Sequence, residues 1–258
     1  MEKTKIEDLA NEIFYEIFEY LNYFQSYEIF TNLKQRFRNF FANSTSPIKL
    51  NLRSVSRSIF TFYYRNIIVP NPHRIQSLHL SNPFLLDSFF SPVSIIPKFV
   101  NLQALIIDDI SSKYLENLLN DLSILSNLRS LLMICNSTVP NRSFFYQKIF
   151  RLSSLKYCKI SILKLDRYEY LPTLTNQFNS MTHLIIDDDF VLDDFSALLS
   201  YFPQLHHLSI HKLSTILKES SICSTIPNQL THVYLNLIYG YFYQFEPLIR
   251  YVFHYLQV

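Results

Sequence analysis

Residues 102–107 read LQALII, and the decisive property of this stretch is the spacing of Leu102, Leu105 and Ile107. The same code recurs along the chain. IQSLHL starts at Ile75, LRSLLM at Leu128, LKYCKI at Leu155, MTHLII at Met181, LHHLSI at Leu205 and LTHVYL at Leu230. Successive starts lie 27, 26, 27, 26, 24 and 25 residues apart. In an extended chain alternate side chains share a face. The apolar residues three and five steps after each start therefore point the same way. Units repeated at such a period cannot bury their apolar face alone and do so by stacking on their neighbours.

The L-x-x-L-x-L code resembles the strand signature of leucine-rich repeats, whose period is roughly 20–29 residues. That resemblance implies an α/β solenoid, with a parallel sheet on its concave face and helices on its convex face. It would occupy residues 48–258 as about seven units plus a leading strand. IKLNL (48–52) alternates and supplies the leading strand, with Leu50 and Leu52 inward. SRSIFTFYYR (56–65) then returns as a helix. Leu115, Leu118, Leu119, Leu122 and Leu125 make a second helical face, and Phe195, Leu198, Leu199 and Phe202 a third, with Asp193 and Asp194 near its positive end. FFYQKIFRL (144–152) is a shorter helix and EPLIRYVFHYLQ (246–257) a last one, while 214–229 is the least regular connection. The Asn that repeat consensus places eight residues after each start, to satisfy loop backbone groups, is present only as Asn136.

Composition narrows the function classes. Hydrophobic residues make up 48%, ample for a core. Gly occurs once, at Gly240, which excludes glycine-rich phosphate loops and the nucleophile elbow in their usual forms. A net charge of +2 shows no concentrated basic face for nucleic acid. Cys135, Cys158 and Cys223 have no metal-knuckle spacing, and Cys158 sits at a core position as a buried free thiol. The acidic run Asp187, Asp188, Asp189, Asp193 and Asp194 lacks the central Gly and spacing of a calcium loop, and reads as a strand-to-helix loop. The greasiest run, Ile59 to Val69, is broken by Arg65, so no membrane span is expected. MEKTKIEDLANEIF carries charges throughout and no apolar core of a secretory leader. The sequons at Asn43, Asn136 and Asn141 are then chance, and the expected compartment is cytoplasmic or nuclear.

Residues 1–43 read as a separate helical domain, closed by the turn-rich NSTSP (43–47). Ile13, Ile17, Tyr20 and Leu21 follow helical spacing, widened by Phe14 and Phe18, with Asn11 placed as N-cap and Glu12 in the first turn. A second helical pattern runs from about Tyr27 to Phe41. The stretch IEDLANEIFYEIFEYLNYFQSYEIFTNLKQRFRNFF resembles an F-box, with Leu9, Ile13, Ile17, Phe18, Tyr20 and Leu21 at its pattern positions and Ala10 where the family has Pro. The resemblance implies docking on the adaptor subunit of a cullin-RING (SCF-type) ubiquitin ligase through Leu9, Ile13, Ile17, Phe18 and Leu21. The repeats would then hold an unidentified target protein. The other reading is a plain interaction scaffold or inhibitor whose N-terminal helices only cap the repeats.

If the third and fifth steps point inward, the second, fourth and sixth face the open side. The second-step column reads Ser77, Ala104, Ser130, Tyr157, His183, His207, His232; the fourth reads His79, Ile106, Leu132, Lys159, Ile185, Ser209, Tyr234. The sixth-step column includes Ile134 and sets His211 beside Asp187. Ile106, Leu132 and Ile134 form an apolar zone, and Tyr157, His183, His207, His232 and Tyr234 complete the expected target-binding set. Neighbouring imidazoles could hold zinc, respond to pH, or be polar residues that happen to be His in a chain with eight of them. No nucleophile–base pair emerges, so neither catalytic residues, a cofactor nor a metal is expected, and the chain reads as a non-enzyme.

Overall fold

Each triplet segment becomes a strand, because its alternating apolar side chains can all be buried on one side of an extended backbone. The computed structural model describes residues 5, 8–20, 26–27, 29–30, 45–81, 83–90, 94–163, 171, 179–214, 229–240, 243, 245–246 and 250. Strands β1 (Ile48–Asn51), β2 (Ile75–Leu80), β3 (Ala104–Ile110), β4 (Ser130–Cys135), β5 (Tyr157–Ile162), β6 (His183–Val191), β7 (His207–Ser214) and β8 (His232–Tyr239) form one eight-stranded sheet, in chain order. Every neighbouring pair is parallel.

Parallel neighbours require a crossover connection. After α1 (Asn11–Tyr20), the crossovers contain α2 (Arg57–Tyr63), α3 (Pro83–Phe90), α4 (Ser112–Leu122), α5 (Arg142–Phe150) and α6 (Phe195–Tyr201). Helix α2 runs on into a π-helical stretch, Tyr64–Ile68. Ser56 caps α2 by accepting from the Ile59 N–H, and Asn141, at φ 62°, caps α5 by accepting from the Phe144 N–H at 2.9 Å. No helix among the described residues is long and apolar enough to cross a membrane. The protein is thus α/β with an all-parallel sheet.

The triplet residues are buried from Ile75 through Ile210, as is Leu230; on the outermost strand Val233 and Leu235 are half-buried. Ile48, Leu50 and Leu52 of the leading segment are also buried. They join Leu115, Leu118, Leu119 and Leu122 of α4 and Phe195, Leu198 and Leu199 of α6 in one continuous core. Burying each such side chain favours folding by about 1.5–3 kcal/mol. Cys158 is a free, fully buried thiol, and burial pushes its pKa well up.

Register is set at the strand entrances. The Gln103 carbonyl accepts the N–H groups of both Arg129 (2.8 Å) and Ser130 (2.9 Å). The carbonyls of Arg129, Lys156, Thr182 and His206 repeat this on the next strand each time. A side-chain ladder runs beside it: Asn101 Nδ2 donates to the His73 carbonyl (2.7 Å), Asn127 Nδ2 to Val100 (2.9 Å) and Ser180 Oγ to Ser153 (2.6 Å). Running the other way, Arg129 Nη1 reaches the Ser154 carbonyl (3.1 Å) and Lys156 Nζ that of Ser180 (3.1 Å).

Three expectations change. Asp187, Asp188 and Asp189 lie within β6 instead of a strand-to-helix loop. Asp194 does sit at the start of α6, but its carboxylate accepts from the Leu171 N–H (3.0 Å) and makes no cap. Asn136 bonds the Asp109 side chain instead of loop backbone; Asp109 has φ 65° where the β3–β4 register shifts. Helix α1 begins at Asn11 itself, with Glu12 in the first turn. Of the expected second helix, Tyr27, Ile29 and Phe30 are described and helical; the rest lies outside the described residues, as do most of 214–229 and of the last helix.

Alternation turns Asp188 inward, and the core must satisfy it. Tyr146 Oη donates to Asp188 Oδ2 at 2.7 Å, and Arg142 Nη2 stands 3.2 Å from the same oxygen. Burial pushes the Asp188 carboxyl up to about 6 against the opposing pull of Arg142 and of the Tyr146 hydrogen bond. An unfolded Asp titrates near ~3.9. The folded chain therefore holds this proton more tightly, and the contribution favours folding below about pH 4 and is lost as pH rises through about 6. Two outcomes are expected in denaturant unfolding. Tyr146→Phe should cost about 1–2 kcal/mol through the lost hydrogen bond. Going from about pH 7.5 to about pH 4.5, the wild type should gain stability relative to Asp188→Asn; parallel pH profiles would contradict this account of the carboxyl.

Candidate functional site

Two surfaces carry the expected contacts, and they differ in origin. The first is α1. Phe14 is fully buried and meets Phe30 edge-to-face with centroids 5.6 Å apart, while Ile13 stays 41% exposed. Leu9 and Ile17 are half-buried. Ile13 and Ile17, four residues apart, share a face of α1 whose edge is Phe14, three residues before Ile17, while Leu9 lies just ahead of the helix. Phe18 lies in α1 with its side chain outside the described residues, and Leu21 lies outside them altogether. Tyr27 joins this N-terminal part to α2 through an edge-to-face contact with Phe62 at 5.7 Å.

The second surface is the open face of the sheet. The pairing brings the second-step residues into one register row: Ser77, Ala104, Ser130, Tyr157, His183, His207 and His232. The fourth-step row runs His79, Ile106, Leu132, Lys159, Ile185, Ser209 and Tyr234. Ile106 and Leu132 are thus direct neighbours, with Ile134 two residues on and paired with Ser161. All three are half-buried.

From β5 to β8 the face becomes a ring ladder. Tyr157 and His183 have centroids 6.4 Å apart; His183 and His207, and His207 and His232, are each 5.8 Å apart and stacked at 17° and 26°. Tyr234, 55% exposed, meets His211 edge-to-face at 5.5 Å, and His211 Nδ1 lies 3.5 Å from Asp187 Oδ1. At the other end of the sheet His79 Nε2 donates to Asp108 Oδ2 at 2.8 Å.

Two of the column's histidines share a local device. Thr182 Oγ1 donates to the Lys156 carbonyl (3.1 Å) and lies 2.9 Å from His183 Nδ1. Thr231 Oγ1 donates to the His206 carbonyl (3.1 Å) and lies 2.9 Å from His232 Nδ1. A hydroxyl has one hydrogen, and a carbonyl oxygen can only accept it. The Lys156 and His206 carbonyls already accept two backbone N–H groups each, so each threonine hydroxyl is shared between carbonyl and imidazole, and which member of the threonine–histidine pair donates depends on the tautomer. His207, between them, has its pKa lowered, first by burial and then by the charges its two neighbours would carry.

Stacked parallel rings do not converge on a point. Among the described residues no group of three or more His, Cys, Asp or Glu could hold a metal ion. The residue-by-residue reading of the open face anticipated these rows. It did not anticipate the threonine–histidine contacts, the His79–Asp108 pair, the Asn/Ser ladder or the Asp188 cluster. Only the ladder left a sequence signal, the recurrence of Asn101, Asn127, Ser154 and Ser180 just before their triplets.

Set against family models, curated proteins and solved structures, the chain has no match.

The ring ladder has a titration consequence. In a histidine-resolved NMR titration His207 should show a midpoint below the ordinary value of about 6.5. Replacing His183 and His232 with Asn should raise it part of the way, since burial, the larger cause, remains. A His207 midpoint at or above the ordinary value would contradict the stacked arrangement.

Proposed function

We propose that the chain is a non-catalytic substrate receptor of a cullin-RING (SCF-type) ubiquitin ligase: a leucine-rich-repeat solenoid on residues 48–258 behind an F-box-like helical domain on residues 1–43. The observation that carries the docking half is the side-chain division of α1. Among the described side chains of α1, Phe14 is buried while Ile13 is 41% exposed and Ile17 half-buried, so the apolar face of the helix is only partly covered. Water-exposed apolar stripes on a helix mark a surface meant for another molecule. The adaptor subunit is the partner that the F-box resemblance supplies for it. The capturing half is supported by the sheet. Strands in chain order with one uncrossed open face present residues from many units to a single ligand, as repeat proteins do. The mechanism is proximity: two binding events on one chain raise the local concentration of target lysines at the ligase.

The Tyr27–Phe62 contact favours a second reading, in which residues 1–43 cap the end of the sheet and the chain is a scaffold or inhibitor. The two readings separate at α1. Ile13→Asp combined with Ile17→Asp should abolish co-precipitation of the adaptor and leave thermal unfolding of the sheet nearly unchanged, because these side chains make little of the core. Full adaptor binding by the double variant, or none by the wild type, would remove the ligase reading and leave the scaffold.

A further inference from the structure

We propose that β8 is an interface between two copies of this chain: their β8 strands pair antiparallel about a twofold axis at Leu235 and join two sheets into one. The inference goes beyond the ligase reading and stands independently of the α1 surface.

The two edges of the sheet are built differently. Strand β1 has four residues, follows Pro47, exposes Lys49 and shifts register between Ile48 and Lys49. Short length, lysine, proline and bulges are the devices by which sheet edges resist pairing with another chain. Strand β8, HVYLNLIY, has eight residues and no Lys, Arg, Asp, Glu or Pro. Among the described residues no strand lies beyond it. None of its described side chains is buried. Tyr234 is 55%, Leu237 43% and Ile238 42% exposed, and Val233 and Leu235 are half-buried. On the neighbouring β7, Leu208, Ile210 and Leu213 are fully buried. A long, uncharged edge with a half-covered apolar row is a template for a further strand.

The pattern of β8 selects a second copy as that strand. The His232 N–H is bonded back toward β7, to the His206 carbonyl at 2.9 Å. Backbone groups of successive residues point to opposite sides of a strand, so those of Val233, Leu235 and Leu237 point outward. These three residues are also the inward-facing apolar row. A twofold at Leu235 lays this trio on itself. Leu235 meets its own copy, and Val233 of each chain meets Leu237 of the other. These are the pairs that exchange both N–H···O bonds in an antiparallel ladder. The apolar rows of the two chains then run together, and each shields the other's half-covered residues from water. On the open face Tyr234 meets Asn236 and His232 meets Ile238. No like charges stand opposite each other, the arrangement that penalises cross-strand neighbours. A perpendicular twofold also keeps both open faces on the same side. Closed twofold symmetry is the commonest form of self-association.

The test uses the full chain. Sedimentation over about a hundredfold range of concentration should show the average mass rising from one chain toward two, as mass action requires. Leu237→Lys with Ile238→Lys, both at exposed positions, should keep the chain monomeric over the same range with an unchanged circular dichroism spectrum. Across the axis the Leu235 Cα atoms lie about 5.5 Å apart. A short bifunctional thiol reagent should therefore join Leu235→Cys to its copy, and join neither the wild type nor Lys49→Cys on the opposite edge. A wild type that stays monomeric at every concentration would overturn the proposal and leave the edge to a segment of this chain or to a strand of another protein. A dimer that survives in the folded double variant, or that is joined through Lys49→Cys and not through Leu235→Cys, would overturn it as well. The wild-type mass and the cross-link decide the matter even if the double variant does not fold.

Discussion

One carbonyl oxygen taking two backbone N–H groups from the next strand is the contact on which the rest depends. It recurs at Gln103, Arg129, Lys156, Thr182 and His206. Each occurrence fixes where the following strand begins relative to the one before. In a sheet with one buried face, a slip of one residue would exchange the two faces entirely. The apolar triplets make such a slip costly, because it would place residues such as Leu131, Leu184 and Leu208 in water. Backbone bonding and side-chain burial thus enforce the same register, and that agreement between levels is what specifies a single structure.

The open face follows from this register. Nothing in the chemistry of histidine brings His183, His207 and His232 together; they sit at the same step of three adjacent units, and the ladder stacks them. The same constraint turns Asp188 inward, where it needs Tyr146 and Arg142 from a crossover more than forty residues earlier. A buried pair of this kind adds little net stability, but losing one member would be costly, about 3–5 kcal/mol, because the other is left uncompensated. The functional reading adds only what the stacked units make available: a face of many residues for a target, and a helix in front of it with an apolar stripe.

What could be read in the amino-acid sequence was whatever depends on short-range periodicity. The triplet spacing, the inward Leu50 and Leu52, the faces of α4 and α6 and the membership of each row on the open side all follow from a period of two or of 3.6. The acidic run misled because carboxylates are poor strand formers and common at helix starts, so local preference pointed to a loop; tertiary packing overrode it by supplying Tyr146 and Arg142. The threonine–histidine contacts were invisible for another reason. Thr182-His183 and Thr231-His232 are ordinary dipeptides until the carbonyls of Lys156 and His206 arrive from neighbouring strands within reach of the hydroxyls. The α1 stripe was legible as an amphipathic pattern, but which side faces inward was settled by Phe14 meeting Phe30.

The most direct measurement asks whether the rows exist. Cysteines placed at Ala104 and Ser130, register partners on the open face of β3 and β4, should be joined efficiently by a short bifunctional thiol reagent. Cysteines at Ala104 and Leu131, one step out of register and on opposite faces, should not. Preferential joining of the second pair, or of neither, would contradict the alignment from which both the open face and its proposed role are derived.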